Sequence, residues 1–246
     1  MQEIKTVCAR DCYDACGLIA RVDASGRLLS VRGDPEHPYT RGLTCPRAAR
    51  DPERLYANRV KAPSLRQGGR FREISWDEAL DLLSGRLSDV LERHGPEAVL
   101  YLDYAGNTGL LTATFPRRLW HVLGATRTDH ALCSRSGHAA LALHYGASYG
   151  VAPGELAATA LIVFWGFNAA VSAPHLWAVA CEARRSGSAR IVVVDPIRTR
   201  TADDADLWVR PGPGTDVALA YGVIRHLIEG DFIDRDFIGR WAVGFE

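Results

Sequence analysis

Cys8-Ala9-Arg10-Asp11-Cys12-Tyr13-Asp14-Ala15-Cys16-Gly17 places three thiols four residues apart near the start of a 246-residue chain, and Cys45 adds a fourth. A close run of three cysteines with one distant partner is a spacing that wraps an iron–sulfur cubane. The run supplies three thiolates and a returning segment the fourth. The same four cysteines could instead hold structural zinc. Structural zinc sites commonly pair two short knuckles, however, and the distal half here offers one cysteine rather than two.

The segment between the run and Cys45 has the means to return. Residues 18–22 and 27–32 read as strands flanking the turn cluster Asp23-Ala24-Ser25-Gly26, which makes a hairpin. Gly33-Asp34-Pro35 ends the second strand, and His37-Pro38-Tyr39-Thr40-Arg41-Gly42 is an irregular lead-in to Cys45.

Composition narrows the classes. An apolar fraction of 47% and a charged fraction of 24% are ordinary for a soluble globular protein, and 246 residues suggest one large or two smaller domains. Lys plus Arg and Asp plus Glu balance at 29 each, which removes any global electrostatic case for nucleic acid or a membrane surface. No apolar run approaches the ~18 residues of a membrane helix. The opening Met1-Gln2-Glu3-Ile4-Lys5 has neither an apolar signal region nor a twin-arginine pair, so the expected location is the cytoplasm. In that setting six unevenly placed cysteines favour metal or redox chemistry over a disulfide framework.

Further along, residues 51–70 are rich in Arg, Pro and Gly without any period and read as a linker or seam. A helix follows over 76–93, with Ser75 and Glu78 spaced as a capping box. Trp76, Ala79, Leu80, Leu83, Leu87, Val90 and Leu91 share one face, which is expected to be core. Residues 98–102 read as a buried parallel strand running into Ala105-Gly106-Asn107-Thr108-Gly109 and a helix over 110–123. Strand, glycine loop and helix can hold a phosphate on backbone N–H groups, and a plain tight turn gives the same pattern. Cys133 follows a loop and stands near the start of a helix over 138–145, a placement that lowers a thiol pKa; a buried inert thiol fits equally. Cys181 lies inside a helix and reads as packing. His138 and His144, six apart, share no helix face, and the eight histidines read as structural or solvent-exposed.

The last third repeats the α/β unit. Residues 160–165 form a continuous apolar run, hence a buried strand, with Gly166-Phe167-Asn168 as its exit. A crossover helix over 174–186 leads to a parallel strand over 191–194 that ends at Asp195-Pro196. A short strand at Trp208-Val209 is followed by Pro211-Gly212-Pro213-Gly214-Thr215-Asp216 and a helix over 217–229. An acid at the end of the second strand is placed to bond nucleotide hydroxyls or a base edge. A glycine loop at a helix start favours an anion. A doubly wound domain without a ligand would carry the same pattern.

Several ordered motifs resemble a known family. They are the Cys8, Cys12, Cys16 and Cys45 set with Gly33-Asp34-Pro35-Glu36-His37-Pro38; Ile74-Ser75-Trp76-Asp77-Glu78-Ala79-Leu80; Trp165-Gly166-Phe167-Asn168; and Val194-Asp195-Pro196-Ile197-Arg198-Thr199 with the 211–216 loop. Together they resemble the N-terminal part of the molybdopterin oxidoreductases. That family, with molybdenum or tungsten bis(molybdopterin guanine dinucleotide), includes formate dehydrogenases, nitrate, polysulfide and dimethyl sulfoxide reductases, and acetylene hydratase. The resemblance implies an α/β chain with a small N-terminal iron–sulfur domain at 1–62, a first α/β segment at 63–128, and a Rossmann-like domain with parallel sheet from 129 to 246. Family catalytic chains are longer, so a partial chain of a larger enzyme is expected.

The resemblance also implies roles. Cys8, Cys12, Cys16 and Cys45 would hold a 4Fe-4S cluster, and Arg47 would stand between cluster and pterin where the family has Lys or Arg. Cys133 falls at the position of the protein ligand to the metal, and a soft thiolate suits a metal already bound by dithiolenes. Gly166, Asn168, Asp195, Arg198, Gly212, Thr215 and Asp216 would line one pterin guanine dinucleotide. The acids suit guanine, whose N1–H and N2 amine are donors. Ala48 replaces the usual Gly after the basic residue, and the 211–214 loop carries an extra Pro-Gly. The implied function is a two-electron redox reaction of a small-molecule substrate, with a separate iron–sulfur subunit or other redox protein as electron partner. Ser134 follows Cys133 where formate dehydrogenases often have His, which counts against formate. The alternatives are a non-catalytic electron-transfer subunit, related to the large iron–sulfur subunit of NADH dehydrogenase, and a zinc-stabilised binding module.

Overall fold

A computed structural model of the chain describes residues 1–103, 111, 115–128 and 134–245. The chain divides into two compact units, Met1–Val151 and Ala152–Glu246.

The first unit begins with an antiparallel sheet of β1 (Gln2–Val7), β2 (Gly17–Val22) and β3 (Leu28–Gly33), in that order. The hairpin read from the sequence is β2–β3. Its turn is held by the Asp23 carboxylate, which accepts from the Ser25 N–H, the Ser25 hydroxyl and the Arg27 N–H. Strand β1 was not anticipated. Its polar residues suit an exposed edge strand, and it pairs with β2 from Gln2↔Val22 to Val7↔Gly17. Two short helices follow, α1 (Pro46–Ala49) and α2 (Asp51–Tyr56), each with Pro in its first turn.

The expected linker at 51–70 is instead structured. Beyond α2, strands β4 (Ser64–Gln67) and β5 (Arg70–Glu73) form a hairpin. Gly68 and Gly69, at φ +57° and +80°, are its two-residue loop. Both residues of such a loop need positive φ, and a Gly-Gly pair is the signal for it. The flanking strands are rich in Arg and carry no apolar alternation, which hid them.

Helix α3 (Trp76–His94) starts where expected, with the Ser75 hydroxyl accepting from the Glu78 N–H at 3.1 Å. Only half of the capping box forms, because the Glu78 carboxylate pairs with Arg72 at 2.8 Å. The face expected to be core is partly open: Trp76, Leu80 and Leu83 are all exposed. Ala79, Leu87, Val90 and Leu91 on the same face are half-buried, so among the described residues the face is covered only in part. Strand β6 (Leu100–Tyr101), within the expected parallel strand at 98–102, pairs in parallel with β7 (Thr126–Arg127), which the sequence reading did not include. The burial expected of β6 fails at Leu100, which is exposed, since this ladder has two residues per strand and, among the described residues, no further neighbour. Helix α4 (Arg117–Leu123) stacks Trp120 on Tyr101, with ring centroids 5.5 Å apart. Helix α5 spans Ser136–Tyr145. The glycine loop at 105–109 and Cys133 lie outside the described residues.

The second unit is built on a parallel sheet of β8 (Leu161–Trp165), β9 (Arg190–Val194) and β10 (Leu207–Val209), in the order β10-β9-β8. Its helices are α6 (Ala169–Ser172), α7 (Pro174–Arg185), α8 (Arg200–Asp203), α9 (Asp216–Glu229) and α10 (Arg235–Trp241). Ile162, Phe164, Ala180, Ala183, Ile191 and Val193 form the core, and the Phe164 ring meets Phe167 and Trp177. Strand β9 is central and largely buried. Strand β8 is an edge, and its apolar run is buried on one face only: Ile162 and Phe164 point inward while Leu161, Val163 and Trp165 are exposed. Cys181 on α7 is half-buried, and burial pushes its thiol pKa up, as expected of a packing residue.

Candidate functional site

Four different local structures deliver the four N-terminal cysteines. Cys8 directly follows β1, Cys12 sits in a bend, Cys16 directly precedes β2, and Cys45 is the N-cap of α1. The Cys8 N–H donates to the Cys16 carbonyl at 2.9 Å, which carries the β1–β2 ladder one step further and sets these two backbones side by side. The loop leading to Cys45 is tied back to the start of β2: the Asp34 N–H donates to the Gly17 carbonyl and the Gly42 N–H to the Asp34 carbonyl, both at 2.9 Å. Gly33 permits that approach, since a Cβ there would lie 2.3 Å from the Gly42 carbonyl oxygen. The hairpin therefore returns Cys45 to the other three.

Cys16 is buried with Leu18 and Ala48, and Cys8 and Cys45 pack on the same cluster. Ala48, where the family commonly has Gly, thus uses its methyl group as packing. Burial, and after it the negative charges of Asp14, Cys8, Cys12 and Cys45, pushes the Cys16 thiol up to about 12. Four free thiolates would repel one another here, and a cationic metal core removes the repulsion and takes up the sulfurs as thiolates. None of the four is disulfide-bonded. A gathered set of four soft sulfur donors fits an iron–sulfur core.

Sequence reasoning missed two residues beside this set. The Arg10 guanidinium donates to the Asp51 carboxylate, to the Arg47 carbonyl oxygen at 3.1 Å and to the Cys8 Sγ at 3.6 Å. Arg54 pairs with the same carboxylate at 3.2 Å. The Arg10 hydrogen bond holds the Asp51 carboxyl below the usual carboxylate range. Arg10 and Asp51 are 41 positions apart, and no local signal joins them.

The second set of residues lies along the carboxyl edge of the β10-β9-β8 sheet, where ligands of open parallel sheets bind. Gly166 leaves β8 at φ +61° and its N–H donates to the Val194 carbonyl at 2.8 Å, which ties the exit of β8 to the end of β9. Asn168 caps α6, and its Oδ1 accepts from the buried Thr201 hydroxyl at 2.8 Å, so its amide N–H groups remain the donors for a ligand. Asp195 leaves β9, is buried, and accepts the Ile197 N–H at 2.8 Å. The Trp208 indole donates to the Asp195 carbonyl oxygen at 2.8 Å, and Arg198 lies over the Trp208 ring.

After β10, Thr215 closes its turn by donating to the Gly212 carbonyl at 2.7 Å. The Thr215 hydroxyl can therefore accept from a ligand, while the anion-facing donors are the first N–H groups of α9. Asp216, in that first turn, accepts from the Trp165 indole at 2.6 Å. Its negative charge opposes a phosphate beside it and favours a donor-bearing base. All seven residues expected to line a dinucleotide thus stand on one edge of one sheet. Arg198 points its charge at Asp203, 2.8 Å away, and Thr201 is the residue of this set that sequence reasoning missed.

Residues 1–57 match the family model for the Fe4S4 domain of molybdopterin oxidoreductases, and residues 59–229 match the model for molybdopterin oxidoreductase itself. The chain belongs to the molybdopterin oxidoreductase family. It is 36% identical to a probable oxidoreductase of Bacillus subtilis (strain 168), YoaE, across 98% of this chain and 36% of that protein. It is 31% identical to a nitrate reductase of Symbiobacterium thermophilum, across 96% of this chain and 32% of that protein. Among solved structures, acetylene hydratase from Pelobacter acetylenicus matches with a TM-score of 0.74 at 26% identity, covering 98% of this chain and 34% of the other. The chain spans about a third of the length of the curated relatives it matches. The α/β fold with parallel sheets and an N-terminal Fe4S4 domain is as the sequence implied. So are a 4Fe-4S cluster and a molybdenum or tungsten molybdopterin cofactor. Among the described residues no helix is long and apolar enough to cross a membrane.

Proposed function

We propose that this chain serves the catalytic subunit of a molybdopterin-dependent oxidoreductase, in which a small substrate undergoes a two-electron reaction and electrons pass through an iron–sulfur cluster. The observation that carries the reading is that Cys8, Cys16 and Cys45 pack on one small cluster, with Cys12 in the bend between Cys8 and Cys16, in the domain that matches the Fe4S4 model. When bound, the metal with its pterin dithiolenes supplies the two-electron chemistry and the cluster a one-electron relay.

The chain's own residues then bind and orient. Cys8, Cys12, Cys16 and Cys45 hold the cluster. Arg47, in α1 immediately after Cys45 and Pro46, contributes positive charge between cluster and pterin. Asp195 and Asp216 accept from guanine donors, Asn168 donates to phosphate or pterin, Gly166 and Gly212 allow close approach, and Thr215 and Arg198 complete the edge. Cys133 supplies the thiolate ligand to the metal. Domains at 1–62, 63–128 and 129–246 fit this division of labour. A separate iron–sulfur subunit or other redox protein takes or delivers the electrons.

Cys133→Ala in the full-length enzyme tests the metal-ligand assignment. Turnover should vanish while the cluster's visible absorbance persists. Normal turnover in that variant contradicts the assignment.

A further inference from the structure

We infer that Arg10, locked by Asp51, is a positioning residue that tunes the iron–sulfur centre through an N–H aimed at the Cys8 sulfur, so that its loss lowers the cluster's reduction potential. The inference rests on the reading of the four cysteines as a cluster site.

The geometry is specific. One terminal nitrogen of the Arg10 guanidinium donates to Asp51 Oδ2 at 3.0 Å and faces the Cys8 Sγ at 3.6 Å. The other donates to Asp51 Oδ1 and, at 3.1 Å, to the Arg47 carbonyl oxygen. The planar fork of a guanidinium can meet a carboxylate with two parallel bonds and still present further N–H groups in its plane. Both side chains are mostly buried, with 23% and 17% of their side-chain surface exposed. The sulfur's own backbone is fixed as well, through the Cys8 N–H on the Cys16 carbonyl.

Two consequences follow from this arrangement. First, the clamp closes the site across the chain: Arg10 lies within the cysteine run, while Arg47 and Asp51 lie on the segment that leaves Cys45. Second, the paired carboxylate offsets the guanidinium charge at a distance. What reaches the sulfur is an oriented N–H rather than a bare positive charge. A hydrogen bond to a ligand sulfur draws electron density from the cluster and favours its reduced form, and such bonds are among the protein's levers on cluster potential.

The test uses the full chain, reconstituted anaerobically with ferrous iron and sulfide. Iron and sulfide are counted and the one-electron couple is followed by potentiometric titration with EPR detection. Arg10→Gln should keep its iron content and shift the midpoint downward. At the wild-type midpoint, the ratio of oxidised to reduced cluster should rise about tenfold, which is about 59 mV for a one-electron couple. Arg10→Lys keeps the charge but lacks the fork to span sulfur and carboxylate together, and should move in the same direction. Arg54→Gln, which removes the other partner of Asp51 without touching sulfur, should leave the potential unmoved. If Arg10→Gln holds no cluster, Arg10→Lys decides. Unmoved potentials at full iron content would show that the pair only supports the fold, and would overturn the inference alone. A wild-type chain that takes up zinc and no iron overturns the cluster reading and the inference together.

Discussion

Thr201 shows how a single residue builds the nucleotide edge. It is fully buried, donates to Asn168 Oδ1 at 2.8 Å and accepts the Ala170 N–H at 2.9 Å. Those two bonds fix which end of the Asn168 amide faces a ligand. Thr201→Val keeps the shape and strips both partners of their bonds, and leaving buried polar groups unpaired costs about 1–3 kcal/mol. Denaturant unfolding of the cluster-loaded chain should show that loss, and Thr201→Ser should recover most of it; equal stability of Val and Ser variants would contradict the assigned role. The contrast with the cysteines explains what was legible at this scale. Cys8, Cys12 and Cys16 stood out because few residue types can be soft ligands and their spacing is local, and Cys45 joined them as the fourth thiol such a run needs. Thr201 and Arg10 act on partners 33 and 41 positions away, and no neighbouring residue marks those pairings. The dinucleotide set was found by resemblance. The structure added which hydrogen-bonding atoms of Thr215, Asp216 and Asn168 are already taken up by the fold.

At the scale of elements, the sequence spoke clearly wherever apolar runs met turn chemistry. Strands β8 and β9, helix α7 and the β2–β3 hairpin lie where periodicity and punctuation put them. Polar elements were silent. Strand β1 and the β4–β5 hairpin are edges or exposed ribbons, where side chains need no apolar pattern because no core selects them. Burial was the harder inference even for elements correctly found, since a face is buried only if a partner surface exists. Part of the α3 face and the outer side of β8 have the apolar residues without the cover. The difference between β9 and β8 is measurable. Ile191, fully buried at the centre of the sheet, should lose about 2–5 kcal/mol as Ile191→Ala. Val163, on the open side of β8, should change stability by no more than about 0.5 kcal/mol as Val163→Ala. Comparable losses in urea unfolding would mean that the outer face of β8 is covered in solution.

At the scale of the whole molecule, two units carry two kinds of site. The first gathers four thiols at the junctions of a small antiparallel sheet with its loops and a short helix. The second lines up dinucleotide-binding residue types along the carboxyl edge of a parallel sheet. The family match runs through both, from residue 1 to residue 229. Val217, Tyr221 and Ile224 of α9 are exposed apolar residues, as are Trp76, Leu80 and Leu83 of α3. In the proposed function these units are the cluster and pterin parts of one redox enzyme. The most direct test is elemental analysis of the full-length protein purified without oxygen. Four iron atoms per chain together with molybdenum or tungsten is the predicted result. Iron with neither metal would contradict the claim in favour of an electron-relay subunit, and zinc without iron would contradict it outright.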